Sequence, residues 1–205
     1  MPTWAIVVAA GRGTRFGDRK QYQPLGGARV LDWAVRAARA SCDGVVLVVP
    51  PELADTPEPT ADAVVAGGDT RSASVRHGLA AVPADATVIV VHDAARPVPV
   101  PDVWARVLAA VAAGADAAVP AVPVTDTLRA IRGGSVDRAA FVAVQTPQAF
   151  PADALRAAHA GGVEASDDAS LVEAAGGRVV LVDGDPANLK ITTTVDLAVA
   201  ELLCR

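Results

Sequence analysis

Short valine-rich apolar runs alternate along this chain with longer stretches whose apolar residues recur at helical spacing. Trp4–Ala10, Val45–Val49, Ala63–Ala66, Thr87–Val91 and Ala117–Val122 read as strands. Leu31–Ala40, a segment ending near Ala81, and Pro101–Ala113 read as helices. Strands and helices taking turns in this way predict an α/β fold on a mostly parallel sheet. Thr87–Val91 is the most strongly β-branched run, which predicts a central, buried strand. Pro50-Pro51 ends the second strand, and Glu52–Thr60, rich in proline and acid, predicts a loop. After Gly67-Gly68, Asp69 or Thr70 is placed to cap the helix that runs to Ala81.

The pattern changes at Pro123. Between Val124 and Ala140 the chain is polar, with Gly133-Gly134 at the centre of two short arms, and this predicts a hairpin leaving the main sheet. Gln145-Thr146-Pro147-Gln148-Ala149-Phe150 brings the chain back. Helices over Ala152–His159 and Asp168–Ala175, a strand over Val179–Val182 and a helix over Val195–Leu203 complete the reading. With no repeats, linkers or low-complexity segments, residues 1–205 form one expected domain, with about 124–140 as its protruding β-arm.

At 205 residues and 52% hydrophobic content the chain has enough material for a sizeable core. Its mean hydropathy of +0.34 comes mainly from Ala and Val in runs broken by Gly, Pro or charge before they could span a bilayer. The first residues lack a basic segment leading into an apolar one, so a soluble, cytoplasmic protein with no membrane partner is expected. Cys42 and Cys204 stand far apart without metal-type spacing and read as free thiols. A net charge of -5 argues against a nucleic-acid surface, which would carry a basic excess. A phosphate ligand is therefore expected to be small and locally bound.

The first strand empties into Ala9-Ala10-Gly11-Arg12-Gly13-Thr14-Arg15-Phe16-Gly17-Asp18-Arg19-Lys20-Gln21. Glycines allow backbone N–H groups to approach oxyanions, and Arg15 and Lys20 add full charges there. Of 18 cationic residues only Lys20 and Lys190 are lysines, and both lie beside motif-like segments. The spacing Gly11-x-Gly13-x-x-x-Gly17 departs from a dinucleotide fingerprint, and no Gly-Lys-Ser/Thr follows. Gly11–Lys20, Gly67–Ser74 and His92–Arg96 all fall at expected strand carboxyl ends, where α/β sheets collect ligands. Asp93, closing a buried strand, suits a Mg²⁺ ligand, although it also suits a turn cap or a pair with Arg96. His92 reads as a packed strand-end histidine, while His77 and His159 read as ordinary helix residues. Ser74 lacks the partners of a hydrolytic triad, and nucleotide selection is the better role for its segment.

Taken together, Ala9-Ala10-Gly11-Arg12-Gly13-Thr14-Arg15, Lys20-Gln21-Tyr22, Gly67-Gly68-Asp69-x-Arg71-x-x-Ser74-Val75, Val91-His92-Asp93-Ala94-Ala95-Arg96-Pro97, Asp126-Thr127, Asp137-Arg138, Thr146-Pro147-Gln148 and Asn188-Leu189-Lys190-Ile191-Thr192 resemble, in order, the 2-C-methyl-D-erythritol 4-phosphate cytidylyltransferase family. The resemblance spans essentially the whole chain. It implies a Rossmann-like sheet of the nucleotidyltransferase type and transfer of CMP from CTP to the 4-phosphate of methylerythritol, with Mg²⁺ and release of pyrophosphate. It further implies that Arg15 and Lys20 stabilise the transition state. Ala9, Ala10, Gly68, Asp69, Ser74 and Ala94 would surround the nucleotide, beside the loop glycines Gly11 and Gly13. Asp93, Arg96, Thr127, Arg138, Thr146 and Lys190 would serve the acceptor, Arg138 and Lys190 positioning its phosphate and Asp93 also holding the metal.

In this family the arm locks a homodimer, and here Leu128, Ile131 and Val136 would supply its apolar side. The arm is short, and Ala187 stands where family members often carry an acid. The chemistry needs no general base, because the attacking phosphate oxygen is already ionised at neutral pH; alignment and charge must carry catalysis. A cytidylyltransferase for another polyol phosphate, such as ribitol 5-phosphate, is the nearest alternative. An NAD(P)-dependent oxidoreductase and a non-catalytic nucleotide-binding module are more distant ones, the last having no need of both Arg15 and Lys20.

Overall fold

Branched apolar residues with both neighbours apolar cannot face water on either side, and here they build the middle of a sheet. The computed structural model of the chain describes residues 1–11, 16 and 19–204. Strand β1 (Thr3–Val8) is followed by a small hairpin of β2 (Pro24–Leu25) and β3 (Ala28–Arg29), then helix α1 (Val30–Ser41) and strand β4 (Gly44–Val49). Next come β5 (Ala63–Ala66), α2 (Arg71–Ala81), β6 (Val88–Asp93), α3 (Pro101–Ala112) and β7 (Ala117–Pro123). The chain closes with β8 (Val142–Val144), β9 (Gln148–Pro151), α4 (Ala152–Ala160), α5 (Asp168–Ala174), β10 (Val179–Asp183) and α6 (Thr194–Leu203).

The large sheet runs β10-β7-β9-β6-β1-β4-β5, with β8 also paired to β7. Strands β1, β4, β5 and β6 are mutually parallel, as are β7 and β10, whereas β8 and β9 run antiparallel to their neighbours. Every residue of β4 and β6 is buried. Side-chain alternation divides these strands between two core layers. Ala5, Val7, Val45, Leu47 and Val90 pack on one face with Leu31, Ala34, Val35 and Ala38 of α1 and Trp104 of α3. Ile6, Val46, Val48, Ile89 and Val91 pack on the other with Val75 and Leu79 of α2 and Leu155 of α4. Sheet edges and helices thus meet the expectation of an α/β fold, with Thr70 rather than Asp69 capping α2 by accepting from Ala73 N.

Three local features differ from the pattern along the chain. The return segment, interrupted by Pro147 and carrying two glutamines, is in fact strand β9, inserted antiparallel beside β6. Neither β8 nor the β2–β3 hairpin stood out, since each is too short to show a period. The arm carries one isolated bridge, Arg129 to Ser135, around Gly133 and Gly134, whose φ values of 104° and 85° suit glycine. It then returns through a 3₁₀ turn at Arg138–Ala140. On this chain Ile131 and Val136 are exposed, so the apolar side of the arm has no cover of its own. No helix among the described residues is long and apolar enough to cross a membrane.

Candidate active site

In the parallel part of the sheet, the register pairs Val8 of β1 with Asp93 of β6, and Val49 of β4 with Ala66 of β5. The segments leaving these strands therefore meet on one edge. There they enclose a cleft of about 320 Å³ lined by residues that include Ala10, Gly11, Lys20, Gly68, Asp69, Ser74, Asp93 and Lys190. A second cavity of about 360 Å³ adjoins it through Ala10, Gly68 and Asp69. The size suits a small ligand.

One wall depends on a close approach of backbones. A Cβ at Gly67 would lie 2.2 Å from the Ala10 Cβ, so no larger residue fits between β1 and the turn before α2. The Ser74 hydroxyl donates to Thr70 O at 2.9 Å and accepts from Gly68 N at 3.1 Å, fixing the turn that presents Gly68 and Asp69. On the opposite side Gln21 Nε2 donates to Ala9 O at 2.6 Å and Gly11 O at 2.7 Å, tying the start of the glycine loop to the segment that carries Lys20. Arg15 and Gly13, expected at this loop, lie outside the described residues.

Asp93 forms the floor. Its Oδ2 accepts from Lys190 Nζ at 2.5 Å, and its Oδ1 lies 3.5 Å from Arg71 Nε. Burial alone would raise the Asp93 carboxyl, but Lys190 and Arg71 override it and hold the group well below the usual carboxylate range. Its ion-pair partner is thus Lys190, with Arg71 beside it, rather than Arg96. The Arg96 guanidinium turns instead to Asn188 O at 2.6 Å, and Arg96 is largely buried.

Thr146 is also buried and does not line the cleft. Its hydroxyl accepts from Asp93 N at 3.0 Å and lies 3.2 Å from His92 Nδ1. Because His92 Nε2 faces the carbonyl of Arg96 at 3.2 Å, that nitrogen carries the proton and Nδ1 accepts from Thr146. Burial pulls the His92 ring down to about 4, leaving it neutral near pH 7. Packed 5.1 Å from Trp104, it is the strand-end histidine that its position predicts.

Lys190 comes from the far end of the chain, and its segment is anchored at several points. Asn188 Nδ2 donates to Thr146 O at 2.9 Å, and Ile191 N donates to Ala95 O at 2.8 Å. Asp196, in the first turn of α6, accepts from Thr192 N and Thr193 N, each at 2.7 Å. Lys20, Asp69, Asp93 and Lys190 are therefore brought together, with Ala10, Gly11, Gly68 and Ser74 around them. Ala9 and Ala94, expected around the nucleotide, are buried and do not line the cleft. Thr127 and Arg138, both exposed on the arm, do not line the cleft of their own chain. Ala187 packs partly buried against the cluster containing Ile191.

The sequence pattern gives no role to Arg71 or Gln21, although both fall inside motif segments. Arg71 lines the cleft and also meets Asp168 at 2.9 Å. His159 is not an ordinary helix residue: it is buried, with Nε2 3.0 Å from Asp168 Oδ1. Only the motif spacing around Gly67-Gly68-Asp69 hinted at Arg71; a histidine and an aspartate on amphipathic helices gave no signal.

A mostly parallel α/β sheet with a cleft at its strand ends, lined by Lys20, Arg71 and Lys190 around the ionised Asp93, forms a site suited to a small anionic ligand. The profile of the 2-C-methyl-D-erythritol 4-phosphate cytidylyltransferase family matches residues 3–205, and the chain belongs to that family. Proteins of that description from Nocardia farcinica and Rhodococcus jostii are 45% and 43% identical to it, covering 97% and 98% of this chain and 92% and 95% of their own lengths. The crystal structure of the Thermus thermophilus 2-C-methyl-D-erythritol 4-phosphate cytidylyltransferase superposes with a TM-score of 0.84 at 42% identity, covering 100% of both chains.

The anchor behind Lys190 makes a pH-linked prediction. Hydrogen bonding from Thr192 holds the Asp196 carboxyl down to about 2, below its ordinary 3.8. Its cap therefore stabilises the fold fully above pH 4 and is lost as pH falls toward 2. Asp196→Ala should cost about 1 kcal/mol at neutral pH, a helix-cap value moderated by exposure. In urea unfolding the gap between wild type and variant should close across that acid window; a gap of constant size would contradict the assignment.

Proposed function

We propose that this chain transfers CMP from CTP to 2-C-methyl-D-erythritol 4-phosphate, giving 4-(cytidine 5'-diphospho)-2-C-methyl-D-erythritol and pyrophosphate, a step of isoprenoid precursor synthesis. Family membership supports the reaction. The observation that carries it at the level of residues is the meeting of Lys20 and Lys190, from opposite ends of the chain, in one cleft with Asp93. An acceptor phosphate oxygen attacks the α-phosphorus of CTP, the bond to the bridging oxygen of the β-phosphate breaks, and pyrophosphate leaves. Since the nucleophile is already ionised, the side chains serve by screening repulsion and aligning the groups. In this reading Lys20 meets the developing charge and Lys190 the acceptor phosphate, and the ion pair of Lys190 with Asp93 supports it.

Among the described residues no group of three His, Cys, Asp or Glu side chains is gathered to hold a metal. The ionised Asp93 fits Mg²⁺ as that ion is commonly bound, through one carboxylate together with substrate phosphates. When bound, the ion would neutralise phosphate charge.

The turn at Gly68 and Asp69 is the part of the wall suited to reading the base. Cytosine presents a donor beside an acceptor where uracil reverses them, and a mispaired buried group costs about 1–3 kcal/mol. A pyrophosphate-release assay should therefore show kcat/KM for CTP roughly tenfold or more above UTP, with methylerythritol phosphate as acceptor. Comparable values for both nucleotides would contradict this base reading, and a clear preference for ribitol 5-phosphate would reassign the acceptor.

The arm completes the proposal. Besides Ile131 and Val136, the exposed apolar residues Phe141, Val142 and Val144 lie on or beside it. A lone hairpin of this size is marginally stable, so a homodimer in which the arm covers a partner and brings Thr127 and Arg138 to the partner's cleft suits both its apolar surface and their distance from their own cleft. Mixing a Lys20→Ala chain with an Arg138→Ala chain should then restore activity through one intact site per mixed dimer. No recovery after subunit exchange would show that each site is built from one chain.

A further inference from the structure

Asp168 opens α5 and is fully buried, outside the lining of the cleft. A carboxyl group so enclosed needs partners on its oxygens. Its Oδ2 meets Arg71 Nη1 at 2.9 Å, and its Oδ1 meets His159 Nε2 at 3.0 Å. On the other side of Arg71, Nε lies 3.5 Å from Asp93 Oδ1. Four side chains thus run in a line from the cleft floor into the space between α4 and α5: Asp93, Arg71, Asp168 and His159. Burial opposes the charge on Arg71, yet the carboxylates of Asp168 and Asp93 outweigh it and raise the guanidinium above its ordinary value.

A staple between α2 and α5 alone would not need a guanidinium edge in the cleft, and a well-packed apolar pair would serve it as well. The planar fork of arginine, by contrast, can be gripped from behind by one carboxylate while it presents another edge forward. The contact behind is the shorter of the two. Asp93 and Asp168 thus share one guanidinium, and the Asp168 contact sets where it lies relative to Asp93. His159 Nε2 is the ring atom that faces Asp168, and Nδ1 is buried without a hydrogen-bond partner among the described residues.

We propose that Asp168 is a positioning residue for nucleotidyl transfer, acting through Arg71, which it fixes at the edge of the cleft beside Asp93. The inference rests on the functional reading above. It is tested by steady-state kinetics on Asp168→Asn, Arg71→Ala and the double variant, with wild type alongside and thermal melting to confirm folding. Each single change should lower kcat about tenfold or more while changing the KM for CTP less than about threefold, and the double variant should match Arg71→Ala within about threefold. A folded Asp168→Asn enzyme with wild-type kcat, or a double variant whose loss is the product of the single losses, would overturn the proposal. Should Asp168→Asn fail to fold, His159→Phe takes its place in the cycle, removing only the donor behind Asp168, with the same two readouts. Absence of pyrophosphate release by the wild-type chain would overturn the functional reading and this inference together, whereas multiplicative losses beside a working wild type overturn the inference alone.

Discussion

The carboxylate of Asp93, buried at the end of β6 and gripped by Lys190, is the contact on which the cleft depends. Neither charge would be stable there alone: an unpaired buried carboxylate takes up a proton, and its cation would then lose its partner. Their pairing joins the middle of the chain to its far end across 97 positions of sequence. The rest of the local structure follows from keeping that contact in place. Thr146 and the neutral His92 hold the Asp93 backbone from below, while Asn188, Ile191 and Asp196 hold the backbone that carries Lys190. Antiparallel β9 belongs to the same arrangement, because the segment leading into it supplies Thr146 to β6.

This arrangement fits a reaction between two anions. Fixed charges in a site partly shut off from water act more strongly than the same charges in solution, and they need not reorganise when charge shifts during transfer. Polar side chains in and beside the cleft also serve as struts. Gln21 ties two backbone carbonyls of the first loop, Ser74 closes the turn before α2, and Arg96 reaches Asn188 rather than the open cleft. A site of this kind is expected to lose activity through displacement of its charges as readily as through their removal.

Legibility in the sequence tracked how local each cause was. Runs such as Val45–Val49 and Val88–Val91 announce buried strands because burial on both faces leaves no room for polar residues. The glycine pair before α2 was equally plain and its cap was narrowed to Asp69 or Thr70, since capping and close backbone approach each demand particular residue types. Strand β9 was obscured because it draws its stability from neighbours distant in sequence, and Pro147 beside it reads as a break. Lys20, Asp93 and Lys190 stood out by motif and by the rarity of lysine. The line from Arg71 to His159 did not, because a charged residue at a helix start looks like a solvated or capping group until tertiary structure places an opposite charge against it. Nor does any local pattern reveal that Arg96 and Thr146 turn inward to support the floor.

The most direct test follows the ionisation of Asp93 itself. With selective carbon labelling, the Asp93 carboxyl resonance is titrated by NMR in the wild-type chain and in Lys190→Met. The account predicts a wild-type midpoint well below the ordinary 3.8 and an upward move when the lysine charge is removed. A wild-type midpoint at or above 3.8, or one indifferent to Lys190, would contradict it.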